Sequence, residues 1–412
     1  MAEFLRWQMA AIERALAVRR IVIIGGARQV GKTTLARSIA RGGKYSSIYY
    51  TLDDGETLAA AKSDCNAFLA NGGKLTIIDE IQRLPQLLPA IKMAVDRSNE
   101  KGQFLLTGSA NIQTLPTVTE SLAGRVRHIR LCPLTQGEVF GRPPTFLDRM
   151  FGHKFSNADG ELHRKDLITL AFRGGYPEVL ELSESDRKRW HGDYLHALLD
   201  RDLGDIVHIR RRGAMDKLVT ILASWSSKFF SSATIASGVG INRQTLDSYA
   251  NALEMLFIVD RLPPWTDTDY KRIGRSDKFF FADTGLMASL LNWNCDQVAM
   301  DSDRFGKLVE TFVFNELKAQ VFASDGKFRI FHYRDRDGRE VDFIVEREDG
   351  SMLGIEVKGG SNVGKDDFKH LRWFSEKMAK DRSFTGIVIS NGKLSYSMGE
   401  NMQAVPIQTL WA

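Results

Sequence analysis

Short apolar segments alternate with amphipathic segments over the first third of the chain. Strands are predicted at residues 21–24, 48–52, 75–78, 103–109 and 126–131. Helices are predicted before and between them, at residues 4–17, 33–41, 56–70 and 87–98. In the first helix, Phe4, Leu5, Met9, Ile12 and Leu16 form the apolar side, with Arg6, Glu13 and Arg14 opposite. Nearly all-apolar strands that alternate with helices indicate an α/β fold with a parallel sheet covered on both faces.

The pattern changes after a helical, linker-like region at residues 136–212. Helices are predicted around 218–222, at 232–237 and at 242–255, the third with Leu246, Ala250, Leu253 and Leu256 buried. A wing is predicted at 257–265, so that residues 213–275 would form a winged helix. Arg243, Gln244 and Ser248 would face outward and are candidate DNA contacts. Asp247 lies on the same face, and its negative charge would repel DNA phosphates. The alternative is that this face contacts a protein partner.

Residues 276–412 combine helices and strands in a different order. A helix is predicted at 305–320, then strands at 329–334, 340–346 and 353–358, a helix at 363–379 and a strand at 386–390. The first helix carries Glu310 and Glu316, and the second strand carries Asp342. Glu356 and Lys358 share one face of the third strand, because side chains alternate along a strand.

A helix carboxylate, a strand Asp and an E-x-K sequence are typical of metal-dependent nucleases. In such a site Glu310, Asp342 and Glu356 would hold Mg²⁺, and Lys358 would position a water molecule or stabilise charge. The alternative is a nuclease-like fold whose carboxylates serve only as surface or pairing charges.

Composition narrows the class of protein. A chain of 412 residues, 43% hydrophobic and 26% charged, is expected to form a globular protein of several domains. Its net charge of +5 permits DNA as a partner. Cys65, Cys132 and Cys295 are isolated in the sequence, so neither a disulfide framework nor a cysteine zinc site is indicated. No apolar run reaches the ~18–20 residues that span a bilayer, and the N-terminus does not resemble a signal peptide, so a cytoplasmic location without membrane contact is expected.

A glycine-rich loop separates the first predicted strand from the following helix. It consists of Gly26, Ala27, Arg28, Gln29, Val30, Gly31, Lys32, Thr33 and Thr34, which fits the P-loop pattern G-x-x-x-x-G-K-[ST]. The two glycines let backbone N–H groups approach a phosphate, and the helix N-terminus adds a partial positive charge. Lys32 would bridge the β- and γ-phosphates of ATP, and the Thr33 hydroxyl would bind Mg²⁺.

Two carboxylates follow the third predicted strand. Ligands of parallel sheets bind beyond the carboxyl ends of the strands, where the P-loop also opens. Asp79 is therefore expected in the Mg²⁺ shell, and Glu80 is expected to orient and polarise the attacking water.

Two further polar residues, Ser109 and Arg125, each fit two roles. Ser109, at the end of the fourth predicted strand, would contact the γ-phosphate as a sensor, or else cap the next helix together with Asn111. Arg125 would act as an arginine finger on a neighbouring subunit's nucleotide, or else be a solvated arginine.

From about residue 4 to 400 the chain resembles a bacterial and archaeal group of AAA-type ATPases with a C-terminal domain of unknown function. The resemblance is carried by the segments GARQVGKTT, LTIIDEIQRLP, FLLTGSAN, SLAGR, RDL, KFFFADTGL and GREVDFIV…GIEVKGG, and by the winged-helix segment through LPPW. It implies an ATPase domain at 1–135, a helical linker at 136–212, a winged helix at 213–275 and a restriction-endonuclease-like α/β domain at 276–412. The family usually has Pro where this chain has Ala27, which should leave the backbone phosphate contacts intact.

Three functions fit these expectations. The first is a Mg²⁺-dependent ATPase, expected to be a homo-oligomer, that acts on DNA as a motor or switch. The second is a nucleotide-gated, metal-dependent nuclease, and the third is an ATP-dependent regulator that binds a protein partner.

Overall fold

A computed structural model describes residues 4–70, 74–108, 122, 124–202, 212–268 and 276–412. The chain divides into two compact units, Met1–Leu134 with Met255–Phe257, and Thr135–Glu254 with Ile258–Ala412. The predicted boundary at 135/136 lies beside this division. The predicted segments 136–212, 213–275 and 276–412 are not separated into compact units of their own.

The first unit is built on a five-stranded parallel sheet. Its strands are β1 Ile21–Gly25, β2 Ser47–Thr51, β3 Leu75–Asp79, β4 Phe104–Gly108 and β5 Val126–Arg130, in the order β2-β3-β4-β1-β5. Its α-helices are α1 Gln8–Val18, α2 Lys32–Arg41, α3 Gly55–Ser63, α4 Cys65–Phe68 and α5 Leu87–Arg97, with a 3₁₀ turn at Ile81–Arg83. The predicted α/β fold with a parallel sheet is confirmed. Since all five strands are parallel, the carboxyl ends of β1, β3 and β4 lie on the same side of the sheet.

The first helix begins later than predicted, and the residues before it are oriented differently. Leu5, expected on the apolar side, is 59% exposed, whereas Arg6, expected on the polar side, is only 7% exposed. Both precede α1, which begins at Gln8. Helical periodicity therefore does not apply to them, and the hydrogen bonds of the Arg6 guanidinium determine its position.

The second unit begins with helices and a small antiparallel sheet. Its helices up to this sheet are α6 Gln136–Val139, α7 Phe146–Phe151, α8 Arg164–Arg173, α9 Glu184–Ala197, α10 Arg212–Ser224, α11 Ser232–Val239 and α12 Arg243–Met255, with a 3₁₀ turn at Pro177–Glu181 and a π-helical turn at Leu198–Asp202. The sheet contains β6 Lys228–Phe229, β7 Val259–Leu262 and β8 Lys278–Phe281, in the order β6-β8-β7. Because β8 pairs with β7, the predicted boundary at 275/276 would divide this sheet. Hydrophobic periodicity does not reveal such a pairing, because it reports burial and not the partner strand.

The C-terminal part is a mixed six-stranded sheet with a long helix. The strands are β9 Phe328–Arg334, β10 Glu340–Arg347, β11 Met352–Lys358, β12 Phe384–Ser390, β13 Tyr396–Ser397 and β14 Met402–Pro406, in the order β13-β14-β12-β11-β10-β9. The helices are α13 Thr284–Leu290, α14 Cys295–Met300, α15 Ser302–Ala323 and α16 Lys369–Phe374, with 3₁₀ turns at Lys365–Phe368 and Ile407–Trp411 and a π-helical turn at Ser375–Ala379. The helix predicted at 363–379 is thus a series of three shorter pieces, and the last two strands were not predicted.

Among the helices that the structure describes, none combines the length and the apolar character needed to cross a bilayer.

Candidate functional site

The glycine loop connects the buried strand β1 to helix α2. Gly26 lies so close to the chain at Leu131 that a Cβ atom would overlap the Leu131 carbonyl oxygen. Gly31 is the N-cap of α2 with φ of 97°, a left-handed conformation that favours glycine. Having no side chain, Gly31 leaves the first amides of α2 without a side-chain cap, and such amides can bind an anion. The loop therefore has the backbone shape that phosphate binding requires.

Lys32 lies over this loop and is only 4% exposed. Its Nζ donates hydrogen bonds to the carbonyl oxygens of Gly26, at 3.0 Å, and Ala27, at 2.7 Å. The ammonium group is therefore held at the loop itself. Arg28 and Gln29 form the outer part of the loop, where Gln29 is exposed and has a left-handed φ of 61°, and Val30 is buried beneath it.

Asp79 ends strand β3 and is 1% exposed. The Thr33 hydroxyl donates to its Oδ2 at 2.9 Å, and the Tyr49 hydroxyl donates to the same oxygen at 2.9 Å. The Thr107 hydroxyl donates to Oδ1. The two residues expected to bind Mg²⁺, Thr33 and Asp79, are thus in direct contact. A hydroxyl and a carboxylate beside a phosphate loop form an oxygen donor set that fits this ion.

Tyr49 was not identified from the sequence, although its strand was predicted. Burial, the largest cause, raises its pKa to about 12, while the hydrogen bond from Arg37 opposes this shift. Arg37 Nε donates to the Tyr49 hydroxyl at 3.3 Å. Tyr49 therefore stays protonated at neutral pH and can keep donating to Asp79. Its position on β2, directly beside β3, would have revealed this role only if the strand order had been known.

Glu80 follows Asp79 with a left-handed backbone, φ of 59°. Its N–H donates to Thr107 Oγ1 at 3.2 Å, and Gln82 Nε2 donates to its Oε2. A non-glycine residue in this conformation is uncommon, and such strain is concentrated at functional sites. The turn separates the two carboxylates, so that Asp79 is buried and Glu80 is partly exposed.

Arg6 is a second residue that the sequence did not identify. Its Nη1 donates to the Val30 carbonyl oxygen at 2.6 Å, and its Nη2 donates to the Cys132 carbonyl oxygen at 2.6 Å. The guanidinium group thus links the glycine loop to the chain that follows β5. A hydrogen-bonded buried arginine gives no hydropathy signal that distinguishes it from a surface arginine.

Arg125 lies at the amino-terminal end of the parallel strands, whereas the glycine loop lies at their carboxyl end. Its carbonyl oxygen accepts a hydrogen bond from the N–H of Ile21, the first residue of β1, whereas the loop follows the last residue of β1. Its Nε and Nη2 contact the two carboxylate oxygens of Asp96 at 2.6 and 3.0 Å. Since a strand of five residues is about 16 Å long, Arg125 is remote from the phosphate loop of its own chain. Ser109 and Asn111 lie outside the described residues.

In the second unit, two of the predicted nuclease residues, Glu310 and Asp342, contact a lysine that the sequence did not identify. Lys278, the first residue of β8, is 1% exposed. Its Nζ lies 2.6 Å from Glu310 Oε1, 2.8 Å from Glu340 Oε1 and 3.4 Å from Asp342 Oδ1. Burial lowers the pKa of Lys278, but Glu310, Asp342 and Glu340 outweigh this and raise it above its ordinary value. Lys278 is therefore a permanent buried cation.

Glu356 and Lys358 lie at the side of this cluster, on strand β11. Burial, followed by the charge of Asp342, raises the pKa of Glu356 well above its ordinary value. The Val357 N–H donates to Asp342 Oδ2 at 2.9 Å, which ties β11 to the cluster. Lys358 Nζ lies 3.8 Å from Asp367 Oδ1, and its side chain is 40% exposed.

The metal ion predicted for this second site does not fit the arrangement. Within the described ranges, no group of three or more His, Cys, Asp or Glu side chains could hold a metal ion. The reason at this site is that Glu310 and Asp342, two of the predicted ligands, already surround the Lys278 ammonium group. These residues, as arranged around Lys278, therefore do not form the metal site that cleavage would need.

Along α12, the exposed and buried residues are those that the sequence pattern predicts. Arg243, Gln244 and Ser248 are exposed, as is Asp247 between them. The residues predicted to be buried, Leu246, Ala250, Leu253 and Leu256, are each at most 1% exposed.

A parallel sheet, a glycine loop between its first strand and a helix, and a carboxylate at the end of another strand of the same sheet define a P-loop domain. Residues 18–140 match the family described as "AAA domain", so the first unit is an AAA-type P-loop ATPase domain. Residues 164–297 match "Domain of unknown function (DUF8612)", and residues 305–410 match "Domain of unknown function (DUF4143)".

The chain belongs to the same family as two mycobacterial proteins. These are "Uncharacterized protein Rv2008c" of Mycobacterium tuberculosis and "Uncharacterized protein Mb2031c" of Mycobacterium bovis. Each is 30% identical over 352 residues, which cover 85% of this chain and 72% of the relative.

Three solved structures are also similar. The Walker-type ATPase PABY2304 of Pyrococcus abyssi is 15% identical, with a TM-score of 0.42, over 69% of this chain and 94% of its own. AMPPCP-bound DnaA from Aquifex aeolicus is 15% identical, with a TM-score of 0.29, over 60% and 85%. The RuvB Holliday junction branch migration motor of Thermotoga maritima is 19% identical, with a TM-score of 0.26, over 64% and 90%.

Proposed function

We propose that this protein binds ATP with Mg²⁺ in its first unit and hydrolyses it. The observation that carries this proposal is the direct hydrogen bond, 2.9 Å long, between Thr33 at the start of α2 and Asp79 at the end of β3. It brings the two expected Mg²⁺ ligands together beside a glycine loop whose backbone can approach phosphate.

Each residue of the site has a defined task in this proposal. Lys32 turns from the loop carbonyls to the β- and γ-phosphates when ATP binds. Thr33 and Asp79 would hold Mg²⁺, which would supply positive charge against the phosphate oxygens. Tyr49 and Thr107 fix the Asp79 carboxylate, and Glu80 orients and polarises the attacking water.

We also propose that α10, α11 and α12 with the small sheet form a winged helix that contacts DNA. Support comes from the chain order of helix, strand, helix, helix and two strands, and from the exposure of Arg243, Gln244 and Ser248 on α12. A helix that presents Arg and Gln suits phosphates and base edges. ATP hydrolysis coupled to this contact would make the protein an ATP-driven switch or motor on DNA.

One experiment tests both parts of the proposal, namely ATP turnover measured with and without DNA. We expect Mg²⁺-dependent turnover that DNA stimulates, and almost none for Lys32→Ala, which removes the main side-chain cation of the loop. Arg243→Ala should raise the DNA concentration needed for half-maximal stimulation, because it weakens DNA binding. Turnover without DNA should stay unchanged. The substitution should also make binding less sensitive to salt, because a phosphate contact is lost.

Asp247→Asn is the matched control, because it removes a negative charge from the same exposed face. If that face contacts phosphate, Asp247→Asn should strengthen DNA binding. The DNA part alone would be contradicted if DNA did not change ATP turnover and if the wild type, Arg243→Ala and Asp247→Asn bound DNA equally. A protein partner would then be the remaining candidate for binding to this face. Turnover by Lys32→Ala at the wild-type rate would contradict the ATPase part.

A further inference from the structure

A carboxylate cluster in the second unit has the composition of a metal site but already contains a cation. The cluster consists of Glu310 on α15, Glu340 and Asp342 on β10, and Glu356 on β11. In a metal-dependent nuclease, a divalent ion would neutralise such a group. Here the positive charge among the carboxylates comes from Lys278 on β8, a strand of the small three-stranded sheet.

The ammonium group of Lys278 has the geometry of a bound cation. It has three N–H donors, and three carboxylate oxygens, from Glu310, Glu340 and Asp342, lie within 3.4 Å of it. The Lys278 side chain is 2% exposed. A divalent ion between the same oxygens would therefore stand beside a buried positive charge, and the two charges would repel each other strongly in this shielded position.

Neighbouring contacts fix the strand that carries Lys278. Phe280, two residues further along β8, is fully buried and stacks on Phe314 of α15, with ring centroids 4.1 Å apart. It also packs against Phe343 of β10, at 5.8 Å. These contacts hold β8, and with it the backbone of Lys278, against the helix and the strand that carry the carboxylates.

We propose that Lys278 permanently takes the place of a divalent metal ion in this cluster, so that the C-terminal domain binds no metal there and joins β8, α15 and β10 by charge instead. The proposal is independent of the ATP site in the first unit. It makes the cluster a structural connection within the second unit and excludes metal-dependent cleavage at Asp342.

Mn²⁺ binding to the nucleotide-free, full-length protein tests this proposal, with free Mn²⁺ measured by electron paramagnetic resonance. Wild type and Asp342→Asn should bind Mn²⁺ equally, because Asp342 is engaged by Lys278. The double variant Lys278→Met with Glu340→Gln removes the ammonium group and one excess carboxylate. It should gain about one Mn²⁺ site per chain, since Glu310, Asp342 and Glu356 are then free to bind the ion. Adding Asp342→Asn to the double variant should abolish the gain.

Each outcome decides the question. A Mn²⁺ site in the wild type that Asp342→Asn removes would overturn the proposal without any lysine variant. A folded double variant that gains no Mn²⁺ would also overturn it. If the double variant unfolds, recovery of its circular dichroism signal on addition of Mn²⁺ supports the proposal, and failure to recover contradicts the claim that a metal ion and the ammonium group share one position.

Discussion

Asp79 and Glu80 are adjacent carboxylates with different surroundings. Asp79 belongs to the buried strand and accepts hydrogen bonds from the hydroxyls of Thr33, Tyr49 and Thr107. Glu80 lies beyond the strand end, in a left-handed backbone conformation with φ of 59°. One carboxylate is therefore held rigidly by three hydroxyl groups, and the other lies partly exposed just beyond the strand end.

The role proposed for Glu80 predicts the effect of replacing its carboxylate with an amide. Glu80→Gln keeps the size of the side chain, so we expect ATP to bind as in the wild type, whereas turnover should fall by roughly 10²–10⁴-fold because an amide cannot accept a proton from water. Equilibrium binding of a fluorescent ATP analogue and single-turnover hydrolysis separate these two effects.

The matched control is Glu100→Gln, which makes the same chemical change at an exposed residue. It should leave both quantities unchanged. Hydrolysis by Glu80→Gln at the rate of this control would show that another group polarises the water.

Helix α15, at Ser302–Ala323, shows how one element can serve several sites at once. Glu310 faces Lys278 of β8, and Lys318 forms a buried ion pair with Asp260 of β7, with 2.6 Å between Nζ and Oδ2. Glu316 was expected to be presented along with Glu310, but six residues along a helix rotate a side chain far from the starting face. Instead, Glu316 is 3% exposed, and its Oε1 accepts a hydrogen bond from the Gln136 N–H at 2.8 Å.

Burial of Glu316 makes the stability of the second unit depend on pH. Burial raises the pKa of Glu316 to about 8, although the hydrogen bond from Gln136 opposes the shift. The folded state therefore holds a proton that the unfolded state releases at a lower pH. This contribution to stability is complete below the ordinary pKa of glutamate and is lost as the pH rises through about 8.

Glu316→Gln should remove this contribution to the pH dependence. Between pH 5 and pH 9, the free energy of unfolding should fall by roughly 3–5 kcal/mol less in the variant than in the wild type, since one pKa unit corresponds to about 1.4 kcal/mol. Urea unfolding at both pH values measures the difference. Glu348→Gln, at an exposed residue, should behave as the wild type, and an equal pH dependence in the wild type and Glu316→Gln would contradict this assignment.

At the scale of the whole molecule, the position of Arg125 bears on assembly. Arg125 lies at the amino-terminal end of the strands, and the glycine loop of its own chain lies at their carboxyl end, so Arg125 is remote from the nucleotide site of its own chain. We therefore keep the proposal of an arginine finger in a homo-oligomer. Arg125→Ala should bind ATP but lose turnover, by roughly 10³–10⁵-fold if the arginine acts as such fingers do in other nucleotide hydrolases.

A mixture of variants tests this sharing. Arg125→Ala mixed with Glu80→Gln should regain part of the turnover, because some mixed interfaces then contain both functional residues. Asp96→Asn is the control, since it breaks the ion pair with Arg125 but keeps the arginine, and it should retain turnover. The absence of rescue in a mixture that demonstrably co-assembles, or an equal loss in Asp96→Asn, would instead indicate that the Arg125–Asp96 pair is purely structural.

The sequence by itself determined the features that depend on neighbouring residues. The apolar strands, the glycine loop with Lys32 and Thr33, and the carboxylates after β3 are all local patterns. Parallel strands place those features at the carboxyl ends of the strands, so the expectation that Thr33 and Asp79 serve one Mg²⁺ site followed from the fold class. The proximity of Glu310 to Asp342 was likewise predicted from the order of helix and strands.

The tertiary structure alone decided which distant side chains complete each site. Tyr49 reaches Asp79 because β2 lies beside β3, and Arg6 reaches the glycine loop from a segment before α1. Lys278 enters the carboxylate cluster from β8, a strand that was not predicted and that pairs with β6 and β7 of the small sheet. Periodicity reports whether a side chain is buried, but the partner of a buried charge depends on strand order and on long-range packing, which no local pattern contains.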